Sequence, residues 1–383
     1  MKLNEWDVIV VGARIAGAAS AIRFARSGRR VLVIDRAREG SDTLSTHGFG
    51  GMEPMRQLNA LGVLDRVEKT GAPQLTSLCV DYDQGTLNLP IRNEFGYTLS
   101  VRRTALDPIL ADEARLSGAE VRFQAEMRDL VWDDGRVVGV TIDGTDATAE
   151  EHRARLVVGA DGRHSPIAQK VGAKSYDEVA SPTSAIYAYL EGVGPIDAGN
   201  EALHFASGPG ADSIIGPSDG GVACVLLILG NEDFERSRSN ATNAFQAGMR
   251  TIPAAARRLE NARMVGKVRT VKQREVDGRF RVPHGVGWAL VGDAGCKQHP
   301  AAGLGIGEAM RGAELLHATV EEAWSQGLDA NATLPDYQAI RDAEFKPRYD
   351  LSFSMASLNP FDNGGLARVM EIITRANVQP ARV

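Results

Sequence analysis

The first forty residues alternate between the patterns of a buried strand and of a helix. Residues 7–11 are a nearly continuous apolar run rich in β-branched side chains, which is typical of a strand buried on both faces of a parallel sheet. Residues 16–27 are rich in Ala with apolar positions at helical spacing, and Gly28 follows as a C-terminal cap. A second apolar run, 30–34, ends at Asp35. This order predicts a βαβ unit.

The rest of the chain mixes both patterns without an internal repeat. Buried strands of the parallel type are predicted at 155–158 and 288–291, and each runs into a Gly-rich segment. The other predicted elements are short strands at 76–90 and 97–101, a helix at 105–118, a strand and hairpin over 121–141 that turns at Asp133-Asp134-Gly135, a mostly β region over 174–276 with one helical stretch at 241–258, and a helix at 305–324. Because parallel-type strands occur early, in the middle and late, we expect an α/β fold whose two domains interleave in sequence.

Composition narrows the class of protein. The chain has 383 residues, of which 41 are Gly, with 43% hydrophobic and 24% charged residues, so it has enough apolar material for packed cores. No Gly-X-Y period exists, and the glycines therefore have positional roles. A net charge of −6 argues against a nucleic-acid partner.

Thiols and targeting signals add further expectations. Cys79, Cys224 and Cys296 are widely spaced, which argues against a disulfide framework, a dithiol centre or a metal site. Residues 1–6 lack the regions of a signal peptide, and apolar runs such as 222–229 are far shorter than the ~20 residues of a membrane span. We expect a cytoplasmic protein without stable membrane insertion.

The segment from Gly12 to Gly17 (GARIAG) follows a predicted strand and opens a predicted helix, and Asp35 ends the next strand. This context is typical of a dinucleotide fingerprint: a tight turn, a pyrophosphate on the helix N-terminus and an acid that accepts from a ribose hydroxyl. Arg14 departs from the pattern because the middle position is normally Gly. Its cation can turn toward the phosphates or toward the region of a flavin.

A second Gly-rich loop decides between NAD and FAD. Over residues 292–306 a predicted strand leads into the loop and a predicted helix follows it. Asp293 lies at the end of the strand. Asp293 can accept hydrogen bonds from polyol hydroxyls, and the free N–H groups at the helix start favour partial negative charge. A reduced flavin carries such charge at N1 and the C2 carbonyl, whereas NAD offers neither feature.

With these motifs the chain resembles the FAD-dependent monooxygenases of the para-hydroxybenzoate hydroxylase type, in the branch that includes geranylgeranyl reductase-like and halogenase-like proteins. The resembling segments are 10–37, 42–67, 103–107, 158–165 and 291–316. The resemblance implies a Rossmann-like FAD-binding domain with a parallel sheet, interleaved with a β-rich substrate domain. The expected bounds are 1–75, 101–173 and 277–330 for the FAD-binding domain, 76–100 and 174–276 for the substrate domain, and 331–383 for a helical C-terminal segment.

The resemblance also implies roles for individual residues. FAD would be held by Gly12, Ile15, Ala16 and Gly17 at the pyrophosphate, Asp35 and Arg36 at the adenosine ribose, Met127 at the adenine, Arg103 along the middle, Asp161 in the Asp-Gly motif, Asp293 at the ribitol, and Gly303, Leu304, Gly305 and Ile306 at the flavin ring. Arg14 and His47 are expected beside the cofactor. Pro300 and His299 are the candidate catalytic residues, and no metal is expected. Ala168 and Gly312 depart from the family, which usually has Arg and Asp there.

The function implied is FAD-dependent hydroxylation of a small aromatic or apolar substrate with NADH or NADPH and O2, through a flavin 4a-hydroperoxide. Aromatic residues expected to line the substrate pocket or fill a core are Tyr82, Phe95, Tyr97, Tyr187 and Phe205. The isolated Trp residues argue against a tryptophan-type halogenase. Three alternatives stay open: an ene-reductase of the geranylgeranyl reductase type, a non-catalytic flavin redox sensor and a plain NAD-dependent dehydrogenase. Whether a separate reductase supplies reduced flavin also stays open.

Overall fold

The computed structural model describes residues 5–143, 149–196, 201–362, 365 and 367. The strands are β1 (Glu5–Val11), β2 (Val31–Asp35), β3 (Ser77–Tyr82), β4 (Gly85–Pro90), β5 (Glu120–Phe123), β6 (Met127–Asp133), β7 (Arg136–Asp143), β8 (Ala149–Gly159), β9 (Ser175–Val179), β10 (Thr183–Glu191), β11 (Ala202–Gly208), β12 (Ala211–Pro217), β13 (Val222–Gly230), β14 (Arg263–Val271), β15 (Gly278–Arg281), β16 (His284–Gly285), β17 (Trp288–Leu290) and β18 (Cys296–Lys297). The helices are α1 (Ile15–Arg26), α2 (Glu53–Ala60), α3 (Leu64–Glu68), α4 (Arg103–Leu116), α5 (Pro166–Lys170), α6 (Asn231–Ser237), α7 (Ala241–Arg250), α8 (Pro253–Leu259), α9 (Gln273–Val276), α10 (Gly305–Ser325) and α11 (Leu334–Ser354).

The predicted βαβ unit is confirmed and lies at the centre of an eight-stranded sheet. The main path of this sheet runs β16-β17-β8-β1-β2-β5, and β1 pairs in parallel with both β2 and β8. Residues Val8–Val11 are buried because α1, α4 and α10 cover one face and the β6–β7 hairpin covers the other. Since β1, β2, β8 and β17 are parallel, the segments that follow them meet at one edge.

A seven-stranded sheet, ordered β14-β10-β13-β12-β11-β3-β4, forms the second layer. Its side chains alternate between two environments with the period of two that a strand imposes. On one face Ile186, Val225 and Leu227 pack against α6, α7 and α8. On the other face Tyr187, Cys224 and Leu226 share a cluster with Leu351 and Phe361 from the C-terminal region. This sheet therefore has one face closed by helices and one face turned toward the rest of the molecule.

The fold class predicted from sequence is confirmed: a mixed α/β chain with a parallel-containing sheet and a helical C-terminus, of which α11 is the described part. Most of residues 363–383, at the end of the predicted C-terminal segment, lie outside the described residues. A third sheet, β18-β15-β9, pairs a strand from the predicted substrate domain with two strands from the predicted FAD-binding domain. Among the described helices, none is long and apolar enough to cross a membrane.

Two element predictions were wrong. The stretch predicted as one helix at 241–258 is two helices, α7 and α8, because Pro253 has no N–H to continue a helix and instead begins a new one. Another helix, α6, precedes them. Residues 97–101 form no strand but two isolated bridges, Leu75 with Thr98 and Gly48 with Ser100. Their alternating pattern reflects burial of Leu99 and Val101 and not membership of a ladder.

Candidate functional site

A cavity of about 500 Å³ lies at the carboxyl edge of the eight-stranded sheet and extends to the seven-stranded sheet. Most of the predicted site residues line it, although they come from distant parts of the sequence. The predicted residues on its wall are Gly12, Arg14, Ile15, Ala16, Asp35, Arg36, Arg103, Met127, Asp161, Asp293, His299, Pro300, Gly303, Gly305 and Ile306. Gly17, His47 and Leu304 are not part of the cavity wall.

Two glycines around the turn between β1 and α1 have no room for a side chain. Gly12 has a φ of +109°, and a Cβ there would lie 2.3 Å from the Ala160 carbonyl oxygen. A Cβ on Gly17 would lie 1.7 Å from the carbonyl oxygen of Gly12. Gly17 therefore acts behind the cavity wall, where it lets the first turn of α1 pack against the Gly12 turn. The result is a wall of bare backbone at a helix N-terminus, which suits a phosphate group.

Asp35 holds this turn in shape. Its carboxylate accepts hydrogen bonds from the backbone N–H groups of Ala13 and Ala37, each at 2.8 Å. Each carboxylate oxygen has a further lone pair, and Asp35 lines the cavity, so a ribose hydroxyl can still donate to it. Arg36 is mostly exposed beside it, and its guanidinium lies 3.9 Å from the Glu126 carboxylate.

Two arginines share one carboxylate at the same end of the cavity. Arg103 donates to both oxygens of Asp107, at 2.7 and 3.0 Å. The Nη1 of Arg14 lies 3.9 Å from Asp107 and, although buried, has no hydrogen-bond partner. Burial lowers the pKa of Arg14, and the charge of Asp107 only partly opposes this effect. A buried guanidinium N–H without a partner among the described residues thus belongs to a side chain that lines the same cavity as the Gly12 turn, which is an arrangement that fits a diphosphate.

Asp161 and Asp293 follow parallel strands, as the sequence predicted, but their surroundings differ. Asp161 accepts from Ser165 Oγ at 2.6 Å and from the Ile167 backbone N–H at 2.9 Å, so it fixes the start of α5. Asp293 is solvent-accessible within the cavity, although it lies deep in the fold. Desolvation by the surrounding protein raises the pKa of Asp293, and the positive charge of nearby Lys297 partly offsets this effect. Asp293 is thus the acid of this pair that is more available to a bound polyol.

Hydrogen bonds hold the loop that carries His299 and Pro300. The Nδ1 of His299 accepts from the Ala301 backbone N–H at 3.2 Å, and burial lowers the pKa of His299 to about 3. A neutral imidazole fixed to its own turn favours a positioning role over proton transfer. Gly303, with a φ of +67°, ends the turn, and its carbonyl accepts from Gly50 N–H at 2.9 Å.

The N-terminus of α10 opens on the cavity beside this loop. Gly305 and Ile306 line the cavity, and the 21-residue helix places its positive end there. Leu304 points elsewhere: its side chain lies beside Gly51, where a Cβ would be 3.4 Å from it. The helix therefore offers backbone N–H groups and partial positive charge to a ligand.

His47 lies behind the cavity wall and faces the seven-stranded sheet. It is 0% exposed, has a φ of +60°, and its Nε2 lies 2.5 Å from the hydroxyl of Tyr189. Burial lowers the pKa of His47 to about 4, so the ring is neutral at pH 7. Its Nδ1 has no partner among the described residues. His47 thus connects the segment between β2 and α2 to strand β10.

Sequence reasoning missed several polar groups on the cavity wall. Gln298 lines the cavity, and within the described part of the chain neither its amide nitrogen nor its amide oxygen has a hydrogen-bond partner. Lys297 is buried beside it, and desolvation together with Arg279 lowers the pKa of Lys297 to about 8. Arg163 also contributes a buried Nε without a partner. No pattern marks Lys297 and Gln298, because their positions depend on the pairing of β18 with β15, whereas Arg163 lies in the segment between β8 and α5.

Of the five aromatic residues expected at a substrate pocket or in a core, Tyr187 lines the cavity. Tyr82, Phe95, Tyr97 and Phe205 are not part of its wall. Phe95 and Tyr97 pack against the core on the α1 side of the eight-stranded sheet, and Tyr82 and Phe205 pack in the cluster of Tyr187 and Leu226 on the seven-stranded sheet.

One group of possible metal ligands, Cys79, Asp81 and His204, lies on the seven-stranded sheet away from the cavity. Arg258 Nη1 lies 3.0 Å from His204 Nδ1, and because a guanidinium only donates, Nδ1 accepts. Nε2 then carries the proton and donates to Asp81 at 2.7 Å. Both imidazole nitrogens are engaged, which leaves no lone pair for a cation.

Comparison with known proteins identifies the class. A family model described as FAD binding domain matches residues 5–344, and the chain belongs to this family. The bare backbone turn and the free Arg14 N–H fit the diphosphate of FAD, and Asp293 fits its ribitol. The chain is thus an FAD-dependent oxidoreductase of the superfamily that contains monooxygenases, halogenases and reductases.

Individual relatives cover nearly the whole chain. The chain is 28% identical to digeranylgeranylglycerophospholipid reductase 1 of Methanopyrus kandleri, over 93% of this chain and 91% of that protein. The fold is similar to the myxobacterial chondrochloren halogenase CndH, with a TM-score of 0.82, 21% identity, and coverage of 98% and 91%. It is also similar to PqsL, a probable FAD-dependent monooxygenase from Pseudomonas aeruginosa, with a TM-score of 0.79, 18% identity, and coverage of 96% and 100%.

Proposed function

We propose that this protein is a monooxygenase that uses FAD, NADH or NADPH, and O2 to hydroxylate a small aromatic or apolar substrate. The observation that carries the proposal is the continuity of one cavity from the FAD-binding edge to the face of the seven-stranded sheet. On that sheet the wall is mostly apolar, with Ala185, Ile214, Leu226, Ile228 and Val271, and it also includes the hydroxyl side chains of Thr183, Ser184 and Tyr187. An apolar molecule can therefore be held next to the cofactor in a site that excludes water.

Bound FAD would supply the electron transfer from the nicotinamide donor to oxygen. The chain's own part is to bind, orient and stabilise charge. The N-terminus of α10 presents free N–H groups that favour negative charge near Gly305 and Ile306. The Pro300–Ala302 turn shapes the wall, and neutral His299 holds that turn without adding charge. Asp293 and Arg14 position polar parts of the cofactor.

A second function is favoured by a specific observation. The relative from Methanopyrus kandleri, which matches over 93% of this chain, is named as a reductase of a geranylgeranyl lipid. We therefore propose, as the alternative, an FAD-dependent reductase of isolated double bonds. The same apolar wall would suit such a chain, and the two proposals differ in whether oxygen enters the product.

One experiment separates the proposals. Purified protein is reconstituted with FAD, and aromatic and isoprenoid compounds are screened for stimulated oxidation of NADH or NADPH. A hit is repeated under 18O2 and without oxygen. Label in the product supports hydroxylation, whereas oxygen-independent saturation of a double bond supports the reductase. Oxidation that no compound stimulates would contradict both and would favour a redox sensor, and stimulation that requires an added flavin reductase would identify that protein as the electron donor.

A further inference from the structure

The cavity face of the seven-stranded sheet presents two rows of side chains. Tyr187 lies opposite Leu226, which in turn lies opposite Ile214, so these three form one row across β10, β13 and β12. Ala185 lies between Val271 and Ile228 in the next row. All six line the cavity. Tyr187 is the member of the two rows with a polar atom.

The hydroxyl of Tyr187 has a proton that nothing described in the structure accepts. The side chain is 2% exposed, and its oxygen has no hydrogen-bond partner by geometry. The nearby Ser45 backbone N–H can only donate, and burial raises the pKa of Tyr187 well above its usual value, so the hydroxyl keeps its proton. A buried hydroxyl without an acceptor costs stability unless a ligand completes it.

The other hydroxyls on this wall are already used. Thr183 Oγ1 donates to the Ala356 carbonyl at 2.7 Å, and Ser184 Oγ donates to Asn231 Oδ1 at 2.7 Å. Tyr189, two residues along the strand, lies against His47 and does not line the cavity. Among the described hydroxyls of this wall, Tyr187 is thus the donor that remains for a ligand.

Charge at this wall is balanced. The nearby cation is Arg269, whose guanidinium lies 5.8 Å from the centre of the Tyr187 ring. Its Nη2 lies 2.5 Å from Asp42 Oδ2, so the two charges compensate each other. A carboxylate placed between the apolar rows would lose its hydration without gaining an unpaired cation, which is costly.

We infer that Tyr187 determines substrate specificity by donating a hydrogen bond to an uncharged acceptor, such as a carbonyl or ether oxygen, of an otherwise apolar substrate. This inference rests on the proposed function, because it places the substrate on the sheet wall of the same cavity. It narrows the substrate class from aromatic or apolar molecules to neutral ones that carry an acceptor oxygen.

The test measures equilibrium binding to the FAD-loaded protein through the change in flavin absorbance. Two matched sets of probes are titrated: acetophenone, ethylbenzene and benzoate, then 2-nonanone, nonane and nonanoate. In each set we expect the ketone to bind most tightly and the carboxylate most weakly. In Tyr187→Phe the ketone should bind roughly three- to tenfold more weakly, the range of one neutral hydrogen bond, while the hydrocarbon is unaffected.

Tyr82→Phe is the matched control, since Tyr82 is on the same sheet and does not line the cavity. An FAD content equal to that of wild type and a thermal midpoint no lower than that of wild type show that Tyr187→Phe is folded. The ranking of the probes in wild-type protein is measured without any variant. The inference is overturned if the carboxylate binds best, if the ketone preference persists in Tyr187→Phe, or if no probe binds. The proposed function is tested separately by stimulated NAD(P)H oxidation, so either can fail while the other stands.

Discussion

The cavity is bordered by two walls that the chain builds in different ways. At the edge of the eight-stranded sheet, main chain forms the wall at the β1–α1 turn: a Cβ on Gly12, or on Gly17 behind it, would lie 2.3 or 1.7 Å from a carbonyl oxygen. Polar side chains such as Arg14 also line this end. On the seven-stranded sheet the contacts come from side chains such as Leu226 and Tyr187, and the backbone is fully occupied by strand pairing.

This difference explains why one wall has a motif and the other does not. A ligand can approach the backbone closely only at positions without a side chain. These positions must be glycine, so they form a motif in the sequence. A sheet face needs only apolar side chains at every second position, and many sequences satisfy that. The cofactor wall should therefore tolerate almost no change, whereas the substrate wall should accept change and alter which molecule binds.

The largest effect is expected at the cofactor wall. Gly17→Ala would place a methyl group 1.7 Å from the Gly12 carbonyl oxygen, so the β1–α1 turn must move. We expect FAD affinity to fall at least roughly 100-fold, which requires a loss of only about 3 kcal/mol. Bound FAD after gel filtration measures it. Gly312→Ala is the matched control, because Gly312 is also a helical glycine, does not line the cavity, and has space for a Cβ with no atom closer than 3.8 Å. Normal FAD binding by Gly17→Ala would show that FAD binding does not require the present shape of the β1–α1 turn.

The two faces of β13 provide the next test. Leu227 is fully buried against the helices, so Leu227→Ala should cost roughly 2–5 kcal/mol of unfolding free energy. Leu226→Ala should cost less, because that side chain already borders the cavity, but it should widen the range of compounds that stimulate NAD(P)H oxidation. Urea unfolding and the compound screen measure both effects. A change of substrate range in Leu227→Ala alone would contradict the assignment of the faces.

Two buried imidazoles lower the stability of the apoprotein in acid, whereas buried Glu308 and Asp212, whose pKa values burial raises to about 8 and about 6, act in the opposite direction. The pKa of His47 is lowered from 6.5 to about 4, and that of His299 to about 3. At these two imidazoles the unfolded chain therefore binds more protons than the folded chain below pH 6.5, and their contribution to stability is lost as the pH falls toward 4. His47 alone accounts for about 3 kcal/mol of this loss. Urea midpoints between pH 7.5 and 4.5 measure it as the difference between wild type and His47→Gln, because the variant lacks the loss due to His47 and should gain stability relative to wild type as the pH falls. An unchanged profile in that variant would refute the role of His47.

The smallest effect is expected at Arg14. Arg14 lines the cavity and its buried Nη1 has no partner among the described residues, so Arg14→Ala should weaken FAD binding about tenfold, the low end of the effect of a hydrogen bond to a charged group. The difference between the variant and wild type should shrink at high salt. Arg38→Ala, an exposed cation outside the cavity wall, is the control. Equal losses in both variants would indicate a general effect of charge.

Prediction from sequence succeeded where local rules are strong. The βαβ unit, the turn at Asp134 and Gly135, and the long helix α10 follow from apolar spacing and glycine positions. It failed where long-range packing decides, as in the bridges at 97–101, whose buried side chains imitate a strand. The same holds within the site: Asp293 has a recognisable context, whereas Lys297 and Gln298 do not.

The glycine positions in the sequence predict where a ligand can approach the backbone, because other residues have a side chain that prevents the close packing and disfavours the positive φ found at Gly12 and Gly303. From this the FAD-binding edge could be predicted. Tertiary structure decided which side chains face that edge. The direction of Tyr187, the charge balance of Arg269 with Asp42 and the burial of His47 depend on how two sheets pack. Strand register and packing between distant segments leave no local pattern, so these features become visible only once the chain is folded.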